Sequence, residues 1–313
     1  MLSTVLPVFL VILVGYLVGR RMSFDAQAEK LINHYVLFVA LPCLLFLPIA
    51  KAEPADLANW PFTWATLLGI AGAYGFGWVL ARKQGIQAPR SALVGMASCY
   101  GTTGFMGVPI LLATFGEQAA VPAAIATVLH NVPAIMAVII THDLCQETKG
   151  SRWAVIGRAG GTVLRNPLVV AVLAGACFSL LGVPVPEPVE HFARFLGAAA
   201  GPTALFALGL GLSRLQFGQE AIRAHATQVF PVMGIKLLIQ PLLTLLLLLA
   251  FGSQSSDIWF ITALVMAAQP IGAGAYVFAR QYDYFGTASS IAILLSLLVG
   301  VFSLSALLSW LAS

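Results

Sequence analysis

Gly101-Thr-Thr-Gly-Phe-Met-Gly-Val-Pro109 and Gln269-Pro-Ile-Gly-Ala-Gly274 interrupt two long apolar stretches with glycine, proline and small polar residues. Glycine weakens a helix interior and proline removes a backbone donor, so both stretches predict broken helices. A helix cut inside a membrane offers N–H groups and positive dipole at one cut end, which suit a carboxylate. The other end offers carbonyls, which suit a cation. Candidate substrate-binding residues are therefore Thr102, Thr103 and Gly104, with Pro109 beyond them, and in the second half Gln269, Pro270, Gly272 and Gly274. Tyr276, like Tyr100, either walls such a cavity or packs as an ordinary aromatic. His130-Asn131 places a polar pair within another apolar run, where it either serves the site or bonds a neighbouring helix. Arg280 follows the second break, where it either meets an anion at the inner mouth or simply follows the charge pattern of the loops. Lys236 also falls within an apolar run, about a third of the way from its start, where its ammonium either snorkels to the headgroups or serves an anion in a cavity.

These residues need a membrane around them. Of 313 residues 59% are hydrophobic and 9% charged, against roughly a quarter charged in a soluble domain. We read ten apolar runs, at about 2–20, 30–50, 60–82, 91–115, 119–142, 165–182, 191–213, 227–250, 257–280 and 287–311. Unbroken stretches such as Leu242 to Leu249 exclude the alternating pattern of a transmembrane barrel. With the N-terminus outside, thirteen Lys and Arg face the cytoplasm and only Lys51 and Arg194 face outward. Both termini are thus expected outside, and the net charge of +4 reports topology with no bearing on nucleic acid. Arg20 and Arg21 follow the first run and no basic residue precedes it, so it is expected to persist as a mature helix.

The interruptions recur regularly. Gly104 and Gly272 lie 168 positions apart, and Pro42 and Pro202 lie 160 apart. The pattern predicts an all-α integral membrane protein of two five-helix repeats, 1–145 and 165–313, joined by a cytoplasmic linker at 146–164. Five crossings per repeat force the second to enter inverted. Short or Gly/Pro-broken spans at matching places in two halves point to the binding site of a secondary transporter. Gly69, Gly72, Gly75, Gly77, Gly197, Gly201, Gly209 and Gly211 read instead as close-packing surfaces.

Other chemistries find little support. No GxSxG, HExxH, P-loop or paired aspartate motif occurs, and the four cysteines are scattered without metal or redox spacing. An enzyme is therefore not expected, nor a metal or cofactor. No Asp or Glu sits at the middle of a run, which weighs against a dedicated sodium/proton antiporter. Na+ or H+ remains open as the coupling ion.

Ala40-Leu-Pro-Cys-Leu-Leu-Phe46, Gly104-Phe-Met-Gly-Val-Pro-Ile110, Asn166-Pro167, Gly201-Pro-Thr-Ala-Leu-Phe-Ala-Leu-Gly209 and Ala275-Tyr-Val-Phe-Ala-Arg-Gln-Tyr282, in this order, resemble the auxin efflux carrier family over nearly the whole chain. The resemblance implies ten helices in two inverted repeats. The fourth and ninth cross at their broken centres, in the architecture of sodium/proton antiporters and bile-acid symporters, and bind an organic anion there. It also implies that the first, second, sixth and seventh helices form a scaffold against which the rest move, and it leaves a homodimer open. The chain departs from the family at Thr102, where many members carry asparagine, and lacks the long loop of some plant auxin exporters. The expectation is a bacterial inner-membrane carrier for a dicarboxylate such as malonate or malate. A sodium-coupled symporter for larger organic anions and an auxin-like monocarboxylate exporter are the alternatives. A channel, a sensor and an intramembrane lipid-modifying enzyme lie further off.

Overall fold

The computed structural model describes residues 2–22, 26–145, 152–214 and 219–311, and every regular element among them is helical. In chain order these are α1 (Leu2–Arg21), α2 (Ala26–Tyr35), α3 (Leu41–Lys51), α4 (Trp60–Lys83), α5 (Ala88–Cys99), α6 (Val108–Phe115), α7 (Ala120–Cys145) and α8 (Arg152–Leu164). There follow α9 (Pro167–Leu181), α10 (Glu187–Ala198), α11 (Ala200–Arg214), α12 (Gln219–Gly234), α13 (Gln240–Ala250), α14 (Ile258–Ala267), α15 (Gly274–Gln281) and α16 (Gly286–Leu311). Of the stretch 146–164 expected as a linker, 146–151 lies outside the described residues and the remainder forms α8.

Local sequence explains the ends and the irregularities. Asn59, Asn166 and Asp257 cap α4, α9 and α14, each side chain accepting a backbone N–H at 3.0 Å, which satisfies a donor the first helical turn leaves open. Gly182, at a left-handed φ of 63°, ends α9. Three π turns, Val36–Ala40, Thr103–Gly107 and Ile235–Ile239, each run into a helix whose second residue is proline: Pro42, Pro109 and Pro241. A proline ring crowds the carbonyl four residues back and cannot bond to it. The preceding turn widens to pass it.

Among the described residues, six helical stretches are long and apolar enough to cross a membrane: Gln27–Lys51, Trp60–Lys83, Thr103–Cys145, Glu187–Ser213, Gln219–Ala250 and Gly286–Leu311. Val155–Leu164 and Pro167–Leu181 make a seventh if this pair, bent by 71°, counts as one. The breaks explain part of the difference from ten. The 12 residues of α5 and the 10 of α14 reach only about 18 and 15 Å, against a hydrocarbon core about 30 Å thick. Large apolar side chains such as Leu13, Phe76, Leu173, Leu246 and Phe302 face outward, while Thr, Ser, Asn, Gln and Lys236 lie inside. This polarity is the one a lipid solvent selects, so the protein is a multi-pass membrane protein.

The helices pack in two groups. In one, α1 lies along α11, α3 along α9 and α10, and α2 against α11. In the other, α4 packs on α5, α7 and α13, α5 on α7, α12 on α16, and α14 on α7 and α13. The α1–α11 contact is backbone to backbone, since a Cβ at Gly209 would fall 2.9 Å from the Cα of Gly15. Gly69 and Gly72 likewise admit Thr244 and Leu243, Gly77 admits Ser98, Gly197 admits Leu44 and Gly201 admits Pro109. Gly75 has no such neighbour, and Gly211 meets only the carboxylate of Glu29.

Candidate substrate site at the helix crossing

The two interruptions lie against one another. Gly101 and Ile271 form an antiparallel bridge, in which the Thr102 N–H donates to the Pro270 carbonyl at 3.0 Å and the Gly272 N–H to the Tyr100 carbonyl at 2.9 Å. Each break thereby satisfies backbone groups that its partner exposes, as an interior without water requires. Contact this close needs glycine. A Cβ at Gly272 would lie 2.8 Å from the Gly101 oxygen, and one at Gly274 2.6 Å from the Tyr100 ring. The ring of Pro270 packs into the space left by Gly300 of α16, and Ser296 accepts the Ile271 N–H at 3.1 Å.

Polar side chains gather around this bridge. The Thr102 carbonyl accepts the N–H of Met106 at 3.0 Å and opens the π turn that leads into α6. Asn131, from α7, donates to the Thr127 carbonyl at 2.7 Å and to the Thr103 hydroxyl at 3.3 Å, and accepts from the Tyr100 hydroxyl. Gln269 is fully buried, donates to the Val265 carbonyl at 3.1 Å, and its amide oxygen has no partner among the described residues. Both ring nitrogens of buried His130 likewise have none. Such groups keep hydrogen-bonding capacity in a low-dielectric interior, where it is costly to leave unused.

Of the two sequence readings of Lys236, the structure excludes snorkelling. The residue is fully buried, and its ammonium donates to the Ala267 carbonyl at 2.6 Å beside Gly101. The π turn that carries it, together with Pro241, directs the side chain inward toward α14.

Of the residues singled out in the sequence, Thr102, Thr103, Asn131, Gln269, Pro270, Gly272 and Gly274 converge at the crossing, with His130 buried on the neighbouring helix. Others do not join them. Gly104 packs against Leu41, Thr127 and Leu168. Pro109 lines an apolar cavity of about 310 Å³ with Pro7, Val11, Leu44 and Pro202, because the half-helix has by then turned toward α11. Tyr276 is 39% exposed on α15, whose Ala275 and Ala279 take the inward positions, and Tyr100 is the ring that reaches Asn131. Arg280 is exposed at the end of α15. Gln240, buried with both amide atoms unpartnered, was missed, although a glutamine within an apolar run was the available signal.

Beyond α15 a second cluster joins three elements. The His142 ring lies on the Tyr282 ring with centroids 3.8 Å apart, and Asp143 accepts from Arg158 of α8 at 3.1 Å. Burial and the Asp143 carboxylate hold the Tyr282 hydroxyl above its usual range.

A family model described as membrane transport protein matches residues 1–159 and 152–308 of this chain. The chain belongs to the auxin efflux carrier family. A Rhizobium meliloti relative named "Putative malonate transporter" is 29% identical over 97% of this chain and 93% of its own length. An Escherichia coli K12 relative named "Uncharacterized transporter YfdV" is 27% identical over 92% and 91%. A mouse relative named "Lysosomal cholesterol signaling protein" is 25% identical over 89% of this chain but only 34% of its own length. As a member of the auxin efflux carrier family the protein is a membrane transporter and not an enzyme. Its partners are accordingly a small substrate and a lipid bilayer.

Proposed function

We propose that this auxin efflux carrier family member moves a small dicarboxylate, such as malonate or malate, by alternating access through the crossing of α5–α6 with α14–α15. The observation that carries the reading is the paired break. Two half-helix N-termini meet two half-helix C-termini within an enclosed polar cluster of Thr102, Thr103, Asn131 and Gln269. N–H groups at such ends attract carboxylates, and the name of the Rhizobium meliloti relative points to the same substrate class.

In this reading the chain crosses a bacterial plasma membrane ten times, with both termini outside, in two inverted repeats at 1–145 and 165–313. Support comes from the packing. Exchanging the halves turns the α1–α11 contact into the α9–α3 contact, and leaves the α4–α13 contact and the antiparallel bridge in place. The group built on α1, α3, α9 and α11 would stay fixed while the group carrying the crossing moves. Substrate access would then alternate without disturbing the bridge.

The test is uptake of labelled malonate into proteoliposomes by wild type and by Gln269→Ala. Saturable uptake, competed by malate, is expected. Losing one hydrogen bond to a charged group costs about 1.5–3 kcal/mol, so the variant is expected to need roughly tenfold or more malonate for half-maximal rate. If no carboxylate enters faster than it enters protein-free vesicles, the reading is wrong.

A further inference from the structure

The cut end of α14 holds more than a substrate seat. The last four carbonyls of this helix each have a partner. Leu264 accepts the Ala268 N–H at 3.0 Å, Val265 the Gln269 side chain at 3.1 Å, Met266 the Gln269 N–H at 3.4 Å, and Ala267 the Lys236 ammonium at 2.6 Å. A helix C-terminus carries the negative end of the dipole, and at a broken transporter helix this is where a coupling cation is coordinated. Here an ammonium tethered to the π turn between α12 and α13 stands at that place.

No carboxylate among the described residues pairs with it. Among the described residues Lys236 is the one Lys, Arg, Asp or Glu that is buried. Cys99 of α5 and His130 of α7, among the described residues, lie within electrostatic reach of it. An ammonium has three donors, and Ala267 engages one of them. A buried charge with a single dipolar partner is costly until an opposite charge reaches it. The ammonium lies against the crossing itself, since a Cβ on Gly101 would stand 3.4 Å from Nζ and 3.3 Å from the Gln269 Cβ.

We propose that Lys236 is a built-in cation of the substrate site: it pairs with a substrate carboxylate at the crossing and takes the place of a coupling sodium ion, so that transport is independent of sodium. This rests on the organic-anion reading above and deepens it. Of the expectations left open by the sequence, it selects against sodium coupling.

The test is labelled malonate uptake into proteoliposomes in matched sodium, potassium or choline media, by wild type, Lys236→Arg and Lys236→Gln. Glutamine keeps a donor for the Ala267 carbonyl but removes the charge, which separates a structural role from an electrostatic one. The expected result is wild-type uptake equal within twofold in the three media. Lys236→Gln should show at least a tenfold rise in the malonate KM with an unchanged elution profile, and Lys236→Arg should recover part of the affinity. If Lys236→Gln does not fold, the three-medium comparison on wild type and Lys236→Arg decides. Uptake that requires sodium would overturn the inference while leaving organic-anion transport standing, and so would a wild-type malonate KM in Lys236→Gln. If wild type moves no carboxylate in any medium, the anion reading falls, and the inference falls with it.

Discussion

Replacing Gly272 with alanine should open the crossing, and replacing Gly104 with alanine should not. The two glycines lie in the two breaks, yet an added methyl meets different surroundings. At Gly272 it would stand 2.8 Å from the Gly101 oxygen, 2.9 Å from its carbonyl carbon and 2.9 Å from the Tyr100 ring. Two of these atoms are backbone and cannot step aside. Overpacking of this kind costs about 1–3 kcal/mol. If the strands part to relieve it, the 3.0 and 2.9 Å bonds between Thr102 and Pro270 and between Gly272 and Tyr100 are lost. Each leaves buried polar groups unsatisfied, at about 1–3 kcal/mol. The cost is therefore about 1–3 kcal/mol if the bridge holds under strain and about 2–6 kcal/mol if it parts. At Gly104 the methyl would meet only the Leu41 and Thr127 methyl groups at 3.5 Å and the Leu168 methyl group at 3.9 Å, which is ordinary contact. Alanine also favours a helix over glycine by roughly 0.5–1 kcal/mol, so this variant should be neutral or slightly stabilised. Both proteins, purified in one detergent, would be compared by apparent unfolding temperature and by uptake after reconstitution. Gly272→Ala as stable and active as wild type would refute the argument from the bridge, and equal damage from both substitutions would refute its specificity.

Further outcomes follow from other contacts. Gly209→Val should cut folded yield severely, because its β-carbon would meet the Gly15 backbone. Fluorescence size-exclusion profiles would show it, and a normal profile would deny that α1 and α11 pack at their backbones. Asn131→Ala removes the amide that joins Tyr100, Thr103 and the Thr127 carbonyl. Several bonds at about 1 kcal/mol each predict a loss of roughly 2–3 kcal/mol in stability, readable by the same thermal assay. At the cluster of His142, Asp143 and Tyr282, the raised Tyr282 hydroxyl stays neutral in the folded protein at pH values where an unfolded tyrosine ionises. The unfolded state then holds fewer protons, so stability should fall as pH rises past about 10. Tyr282→Phe should flatten that fall in a pH-resolved unfolding series while retaining the ring against His142.

What the sequence made legible was where helices cannot continue. Gly101 to Pro109 and Gln269 to Gly274 break because of residue types that act on their own backbone, and the caps Asn59, Asn166 and Asp257 signal in the same local way. Direction around a helix axis was not legible. Lys236 left snorkelling and a cavity role both open because its distance along the run was known and its azimuth was not, and the widened turn before Pro241 shifts that azimuth further. Pro109 and Tyr276 were assigned to the crossing by nearness in sequence. Each sits several residues past its break, where the half-helix has already carried it to another face. The pairing of Asn131 with Tyr100 and Thr103 depends on α7 lying beside α5, which no local pattern encodes.

The bridge at the crossing is made by main-chain atoms alone. Its demand on side chains is for small ones at Gly101, Gly272 and Gly274, while Thr102, Thr103 and Gln269 project from it without holding it together. In the proposed carrier, cargo preference at Thr102 and Gln269 would be set by atoms outside the bridge, while the Asn131 amide would serve both cargo and stability. A lineage built on this frame could exchange the hydroxyl or amide that greets its cargo, one position at a time, while the scaffold underneath stayed intact.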